Sequence, residues 1–295
     1  MTDVVEAQAV AAGPDSASAP PLDQRRRSDR RRSAIGIVGP IATFCAFVGV
    51  WYVMHYWALR ALWDKPPFLV PAPHVVVQES FLESERFTEM LRATRFTAYV
   101  SLIGLGIAIA VGMLLAIAMA QAQWLERSVW PYLVALQAIP VIALTPLIGS
   151  IWGTGPVGRV FVCIIISMFP IVANTLFGLL SADRGQHDLF TLRGASRWTR
   201  MFRLQFPGAL PAIFAGFRIA AGLSVIGAIV GELFFRRGEK GIGVLLEDYR
   251  AQNQMPEAYG AMVMAAALGI TLFALFGWLS HVVVGKWHES TRKTG

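Results

Sequence analysis

The sequence predicts an all-α membrane protein with about six transmembrane helices, and three observations carry that prediction. Of its 295 residues 55% are hydrophobic and only 15% charged, against roughly 25% charged for an ordinary soluble domain. The mean hydropathy is +0.52. The apolar residues come in long blocks, and the charges fall in the gaps between them, where membrane proteins keep them. A net charge of +7 therefore does not point to nucleic acid, because no basic face accompanies it.

Taken in chain order, residues 1–33 are rich in Ala, Pro, Ser and Asp and end in QRRRSDRRRS. They read as a disordered, basic cytoplasmic tail ahead of a transmembrane domain over 34–290. The apolar block that follows is too long for the h-region of a signal peptide and is followed by no small-residue cleavage site. Crossing a hydrocarbon core of ~30 Å takes about 20 helical residues. Blocks of that length run over 35–58, 95–121, 128–150, 157–181, 209–235 and 258–285. Between the first two, KPPFLVPAPHVV must be extended, and FLESERFTEMLRATRF reads as an amphipathic helix at the outer interface. IWGTGPVG makes a tight turn between the third and fourth spans. Gly104, Gly106 and Gly112, with Gly222 and Gly227, read as surfaces for close helix approach. Cys45 and Cys163 lie inside apolar blocks and read as buried free thiols.

Orientation follows from Lys and Arg in the flanks. With the N-terminus inside, 15 fall on inner segments and 8 on outer ones. Both termini are expected in the cytoplasm of a multi-pass protein of the bacterial inner membrane.

One polar island lies between the fourth and fifth spans: LRGASRWTRMFRLQFP, Leu192 to Pro207, with four arginines. At 100° per residue Arg193, Arg197 and Arg200 share an arc and Trp198 and Phe202 lie opposite. Gly194 permits close approach or a break between two short helices, and Pro207 is expected to reset the chain direction before the fifth span. Residues alone leave two readings open, an interfacial helix holding arginines toward lipid phosphate and a helix presented to a cytosolic partner.

The segment resembles the cytoplasmic loop of ABC importer permeases, whose signature is an E-A-A triplet, three residues, G, nine residues, then I-x-L-P. Gly194 is followed by nine residues and then Leu204-Gln205-Phe206-Pro207, without a gap. Asp188-Leu189-Phe190 stands in place of the triplet. The resemblance runs over about 75–290 and includes LVPAP (69–73), LQAIPVIALTPLIGSIWGTG (136–155), FPIVANTLFGL (169–179) and ALPAIFAGFRIAAGLSVIGAIVGELF (209–234). These resemble the nitrate/sulfonate/taurine-type branch. The resemblance implies a homodimeric permease bound inside by two ATPase subunits and outside by a substrate-binding protein. It also implies that the loop is a coupling helix, with Asp188, Gly194, Ala195, Ser196, Arg197, Trp198 and Pro207 against the ATPase. ATP and Mg would belong to that partner. No cofactor is expected on this chain, which lacks the phosphate-cradling G-x-x-x-x-G-K-[ST] pattern and is not expected to be an enzyme.

Polar groups at membrane depth are costly and so are candidates for a substrate pathway. These are Gln137, Thr145, Asn174 and Ser224. For Thr145 and Ser224 a bond to the chain's own helix is the competing reading, and Asn174 either bridges helices or lines the pathway. The family's solutes imply a sulfonate, nitrate or a small planar organic precursor. Two other classes compete. An ATP-independent secondary transporter or channel shares the composition. An intramembrane serine protease built on Ser224 and His281 is disfavoured, because their spans place them ~15 Å apart in depth.

Overall fold

The computed structural model describes residues 22–285. The expected tail thus falls largely outside the described residues, while 22–33 are not disordered but form the start of a helix. No strand forms among the described residues. The chain divides after Asp64 into two units.

The first unit is a helix α1, Leu22–Val53, a π-helical turn, Met54–Ala58, and a short helix α2, Leu59–Trp63. Val38–Trp63 is long and apolar enough to cross a membrane. Asp64 ends it in the left-handed conformation. Cys45 is exposed on α1, contrary to the expected burial, because this helix has no packed neighbour within its own unit.

The second unit begins with two prolines and a short helix α3, Pro73–Val77, continued by a π-helical turn, Gln78–Leu82. Then comes α4, Ser84–Gln121, a single helix of 38 residues. The amphipathic stretch expected to lie apart at the interface is therefore split. Its start belongs to the turn after α3, and from Ser84 it is the outer extension of the second span. No Gly or Pro between Ser84 and Gly104 interrupts helix propagation.

The third expected span is not one helix. It is α5, Gln123–Ala138, and α6, Val141–Trp152, bent by 100° at Ile139–Pro140. Pro140 has no N–H to give and forces its predecessor out of the helical region, so Ile139 sits at φ −73°, ψ 125°. Then follow α7, Pro156–Leu180, and two short helices, α8, Arg184–Leu192, and α9, Arg197–Arg200. α10, Phe206–Phe234, α11, Ile242–Ala251, and α12, Met255–Val284, complete the unit.

Pro207 does not turn the chain. It lies in the first turn of α10, where a missing N–H is tolerated, and a π-helical turn, Met201–Gln205, joins α9 to α10 in one helical run. Arg197–Phe234 is thus 38 residues long, or about 57 Å at 1.5 Å per residue. That length exceeds the membrane core by several turns.

α7 and α10 form the central pair, with α4 against α7 and α12 against α10. Glycines set the spacing. A Cβ on Gly227 would lie 2.9 Å from Cys163 Cα, and one on Gly231 2.9 Å from Arg159 Cα. On α4, Gly104 meets Cys163 and Gly112 meets Ile171. These confirm Gly104, Gly112 and Gly227 as packing surfaces, and the thiol of Cys163 is buried between them. Gly106 and Gly222 face open space instead. Between the glycine contacts, Leu105, Ala108, Ile171, Ala220, Ala221, Val225 and Leu272 make one apolar cluster.

Candidate functional site

Three groupings of polar residues stand out against this apolar body, one at each end and one at mid-depth.

At one end α8 and α9 form a sharply built corner. Asp183 caps α8 by accepting from Gly185 N at 2.6 Å. The helix ends at Gly194, whose φ of +63° is the left-handed region that glycine adopts without strain. Ala195 N donates to Phe190 O (3.0 Å) and Gly194 N to Thr191 O (2.9 Å), the paired 6→1 and 5→2 bonds of a Schellman terminus. Two residues later Ser196 starts α9 as its N-cap, accepting from Thr199 N at 3.2 Å. Gly194 therefore makes the break between two short helices, one of the two roles its sequence position allowed. Arg193 falls on one segment and Arg197 and Arg200 on the next, so the three do not share one arc.

The corner points apolar side chains outward. Leu192 is 85% exposed, and Leu189, Trp198 and Phe202 are each about 60% exposed. The Trp198 and Phe202 rings stack at 6.0 Å. Asp188, Gly194, Ser196, Arg197, Trp198 and Pro207 are all exposed, and Ala195 is half-buried. Pro207 lies apart from the other six, nearly three turns into the helical run that starts at Arg197. The substitution of Leu189-Phe190 for two alanines adds one exposed and one half-buried apolar side chain to the corner.

At mid-depth, a cavity of about 200 Å³ opens at the α5–α6 break, against α7 and α10. Leu136, Gln137, Val141, Phe169, Pro170 and Leu223 are among its walls. The break leaves the last carbonyls of α5 and the first N–H groups of α6 without helical partners, and Pro170 frees the carbonyl of Ile166 one turn back. Of the four expected pathway residues only Gln137 lines this cavity. Thr145 is buried and donates to Ile142 O at 2.7 Å. Ser224 is buried and donates to Ala221 O at 2.8 Å. Asn174 Nδ2 donates to Pro170 O at 2.8 Å, and its Cβ packs where Gly216 leaves room. Those three side chains satisfy their own helices. The signal that the sequence did offer for the cavity was the pair of prolines, Pro140 and Pro170, in adjacent spans.

At the other end lies a clamp that sequence reasoning missed. Arg159 is fully buried. Its Nε donates to Phe235 O (2.7 Å), and its two terminal nitrogens donate to Glu239 O (2.9 Å) and Arg237 O (3.1 Å). Glu232, also fully buried, accepts from Thr97 Oγ1 (2.8 Å) and Gly243 N (2.7 Å). Thr97 in turn accepts from Ile242 N at 2.8 Å. The loop Phe235–Gly241 is thereby tied to α4, α7 and α10, and Arg237 N also donates to Thr154 O at 3.0 Å. Glu232 does not pair with Arg236, which bonds Asp248 instead (3.1 Å). Gly241 is where Glu232 comes closest, and a Cβ there would overlap its carboxylate.

Outside the clamp, Tyr249 donates to Glu89 Oε2 at 2.7 Å. Burial and that bond hold the Tyr249 hydroxyl above its ordinary pKa. Glu79 is also raised, by burial and by the charges of Glu257 and Glu83. Arg218 lies over the Phe273 ring at 4.0 Å. No group of three or more His, Cys, Asp or Glu side chains is placed to hold a metal ion among the described residues.

Long apolar helices spaced by glycines, one span broken at mid-depth and a capped basic corner between two others are the architecture of a multi-pass membrane permease. Comparison with known proteins gives the particular class. Residues 108–288 match the binding-protein-dependent transport system inner membrane component family, and the chain belongs to it. It is 36% identical over 225 residues to the riboflavin transport system permease protein of Chloroflexus aurantiacus, covering 76% of this chain and 82% of that one. It is 33% identical over 233 residues to the formylaminopyrimidine transport permease protein of Halalkalibacterium halodurans, covering 79% and 91%. A putative aliphatic sulfonates transport permease protein of Escherichia coli is 33% identical over 201 residues, covering 68% and 75%. A crystal structure of an amino acid ABC transporter superposes with a TM-score of 0.54 at 14% identity, over 70% of this chain and 98% of that one, which shows a shared fold. The chain is a permease of the ABC importer kind, in the branch that the loop and span motifs resemble, and a multi-pass membrane protein.

Proposed function

We propose that this chain is the permease subunit of an ATP-driven importer. In this reading two copies form the membrane pathway, two ATPase subunits bind the α8–α9 corner, and a substrate-binding protein delivers solute at the clamp end. ATP and Mg act on the ATPase, and both termini of this chain lie in the cytoplasm, as the basic flanks favour. The observation that carries the reading is the corner itself. A Schellman terminus and an N-cap back to back make a rigid, exposed apolar knob, held on a helical run continuous with the fifth span. A partner that moves the knob moves α10, and with it the packed pair α7–α10.

The solute favoured by the cavity at the α5–α6 break is small, planar and uncharged. Its walls offer an aromatic ring, aliphatic side chains, one amide and unpaired backbone groups, and no cation. The two membrane-depth arginines of the described spans are engaged elsewhere, Arg159 on carbonyls and Arg218 on Phe273. The riboflavin and formylaminopyrimidine relatives point the same way, toward a heterocyclic precursor rather than nitrate or a sulfonate.

The test is uptake into proteoliposomes holding the chain with its cognate ATPase and binding protein. Solute enters only with ATP inside, and the ATPase co-purifies with the wild-type chain. Uptake that survives full ATP depletion would establish the ATP-independent transporter instead.

A further inference from the structure

Beside the corner lies a second cleft of about 490 Å³ between the α4–α5 junction and α8–α9. Arg197, Arg200 and His187 line it from one side, Gln121 and Gln123 from the other, and Gln205 from the start of the fifth span. No carboxylate is among its walls. Arg200 Nε is buried there and has no hydrogen-bond partner in the structure. A buried guanidinium N–H left unpaired is unfavourable unless something outside the chain accepts from it. Six polar side chains, two of them guanidinium groups, and no acid make a donor-rich hollow without negative charge, and a polyoxygen anion is the ligand such a hollow suits.

Its position selects the source of the anion. Gln121 ends one membrane-crossing helix and Gln205 leads into another, so the cleft sits at the level where headgroups lie. Trp124, 71% exposed, borders it. Aromatic rings at this level are the mark of the membrane–water boundary, and basic pockets between spans take phospholipid headgroups. We propose that this cleft holds the phosphate of an anionic phospholipid, with Arg200 as the central donor and Arg197 and His187 beside it. The cleft adjoins the ATPase-facing knob and shares Arg197 with the expected contact set, while Arg200 belongs to the cleft alone.

The experiment uses the full chain in nanodiscs of phosphatidylcholine containing a minority of phosphatidylglycerol, with the lipids that remain bound after detergent release counted by native mass spectrometry. The wild-type chain retains phosphatidylglycerol. In R197Q/R200Q that preference falls roughly 30-fold, from two charges at the increment usual for a basic residue near an anionic leaflet. R193Q/R203Q, which removes the same charge from the flanking helix end and π-helical turn outside the cleft, behaves as wild type, and R197K/R200K recovers most of the preference. Equal loss in both glutamine pairs, or loss in neither, overturns the proposal. So does displacement of the lipid by inorganic phosphate, which assigns the cleft to a soluble anion, or by added ATPase subunit, which assigns Arg200 to a protein carboxylate. A second measurement needs no variant: a phosphatidylglycerol with a photoreactive headgroup labels residues 120–124 and 197–205 of the wild-type chain, and labelling that avoids both segments overturns it.

Discussion

Replacing Arg159 by Met removes three charge-assisted bonds at once, leaving the carbonyl of buried Phe235 and those of the loop residues Arg237 and Glu239 without their donor. Met fills a similar volume, so the loss is one of bonding rather than of packing. Hydrogen bonds to a charged donor are worth about 1.5–3 kcal/mol each, and partial relaxation of the loop toward water recovers some of that. Removing one partner of a buried charged network costs about 3–5 kcal/mol, which we take as the expected loss. Thermal unfolding of the detergent-solubilised chain would then fall by roughly 10 °C. Arg159→Lys keeps the charge but can reach one carbonyl at a time, so it should lie much nearer to Met than to wild type. The structure also distinguishes two roles for Arg159. No ion pair within 4.0 Å links it to Glu232, so adding Glu232→Gln to Arg159→Met should not restore stability. If the double variant returns to within about 0.5 kcal/mol of wild type, Arg159 serves to neutralise Glu232 and the carbonyl clamp is wrong.

Gly227→Ala places a Cβ 2.9 Å from the Cα of Cys163, a backbone contact that no rotamer relieves, and should destabilise by about 1–3 kcal/mol. Gly222→Ala meets nothing within 4 Å, so the same unfolding assay should show no loss. Glu79→Gln tests the outer acidic group by its pH dependence. The folded state holds the Glu79 pKa above its ordinary value, so the unfolded chain ionises first as pH rises and the folded chain loses stability above about pH 4.5. The glutamine variant should therefore be the more stable at neutral pH and equal to wild type below the ordinary carboxylate pKa. A difference that persists at low pH would show that packing rather than charge sets the effect.

The periodicity and length of the apolar blocks revealed the helices well, because crossing a membrane demands long uninterrupted runs that leave a strong compositional trace. What sequence could not place were the bends and breaks. Pro140 and Pro207 are both prolines near the start of a helix, yet one breaks a span by 100° and the other sits inside a continuous run. The difference lies in the flanking backbone: extended at Ile139, π-helical before Phe206. The break at the α8–α9 corner was legible because Gly194 takes the left-handed conformation there, and that demand favours one residue type at one spacing. Thr145, Asn174 and Ser224 bond their own helices, the competing reading for the two hydroxyls, because a hydroxyl or amide at membrane depth can be satisfied locally. Arg159 and Glu232 are isolated charges in spans whose partners are mostly backbone groups, 76 and 11 positions away, with Thr97 the one side chain among them, and backbone carries no residue identity to read.

The central claim is that the α8–α9 corner carries motion between an ATPase and the spans. Gly194→Leu in the reconstituted importer tests it most directly. The Cβ at Gly194 would meet nothing within 4 Å, so the isolated chain should keep its fold, at a strain of about 1 kcal/mol for a side chain in the left-handed region. The measurement is solute moved per ATP hydrolysed. A steep fall in that ratio, with hydrolysis continuing and the chain still folded, is the predicted result; a ratio equal to wild type would contradict the account.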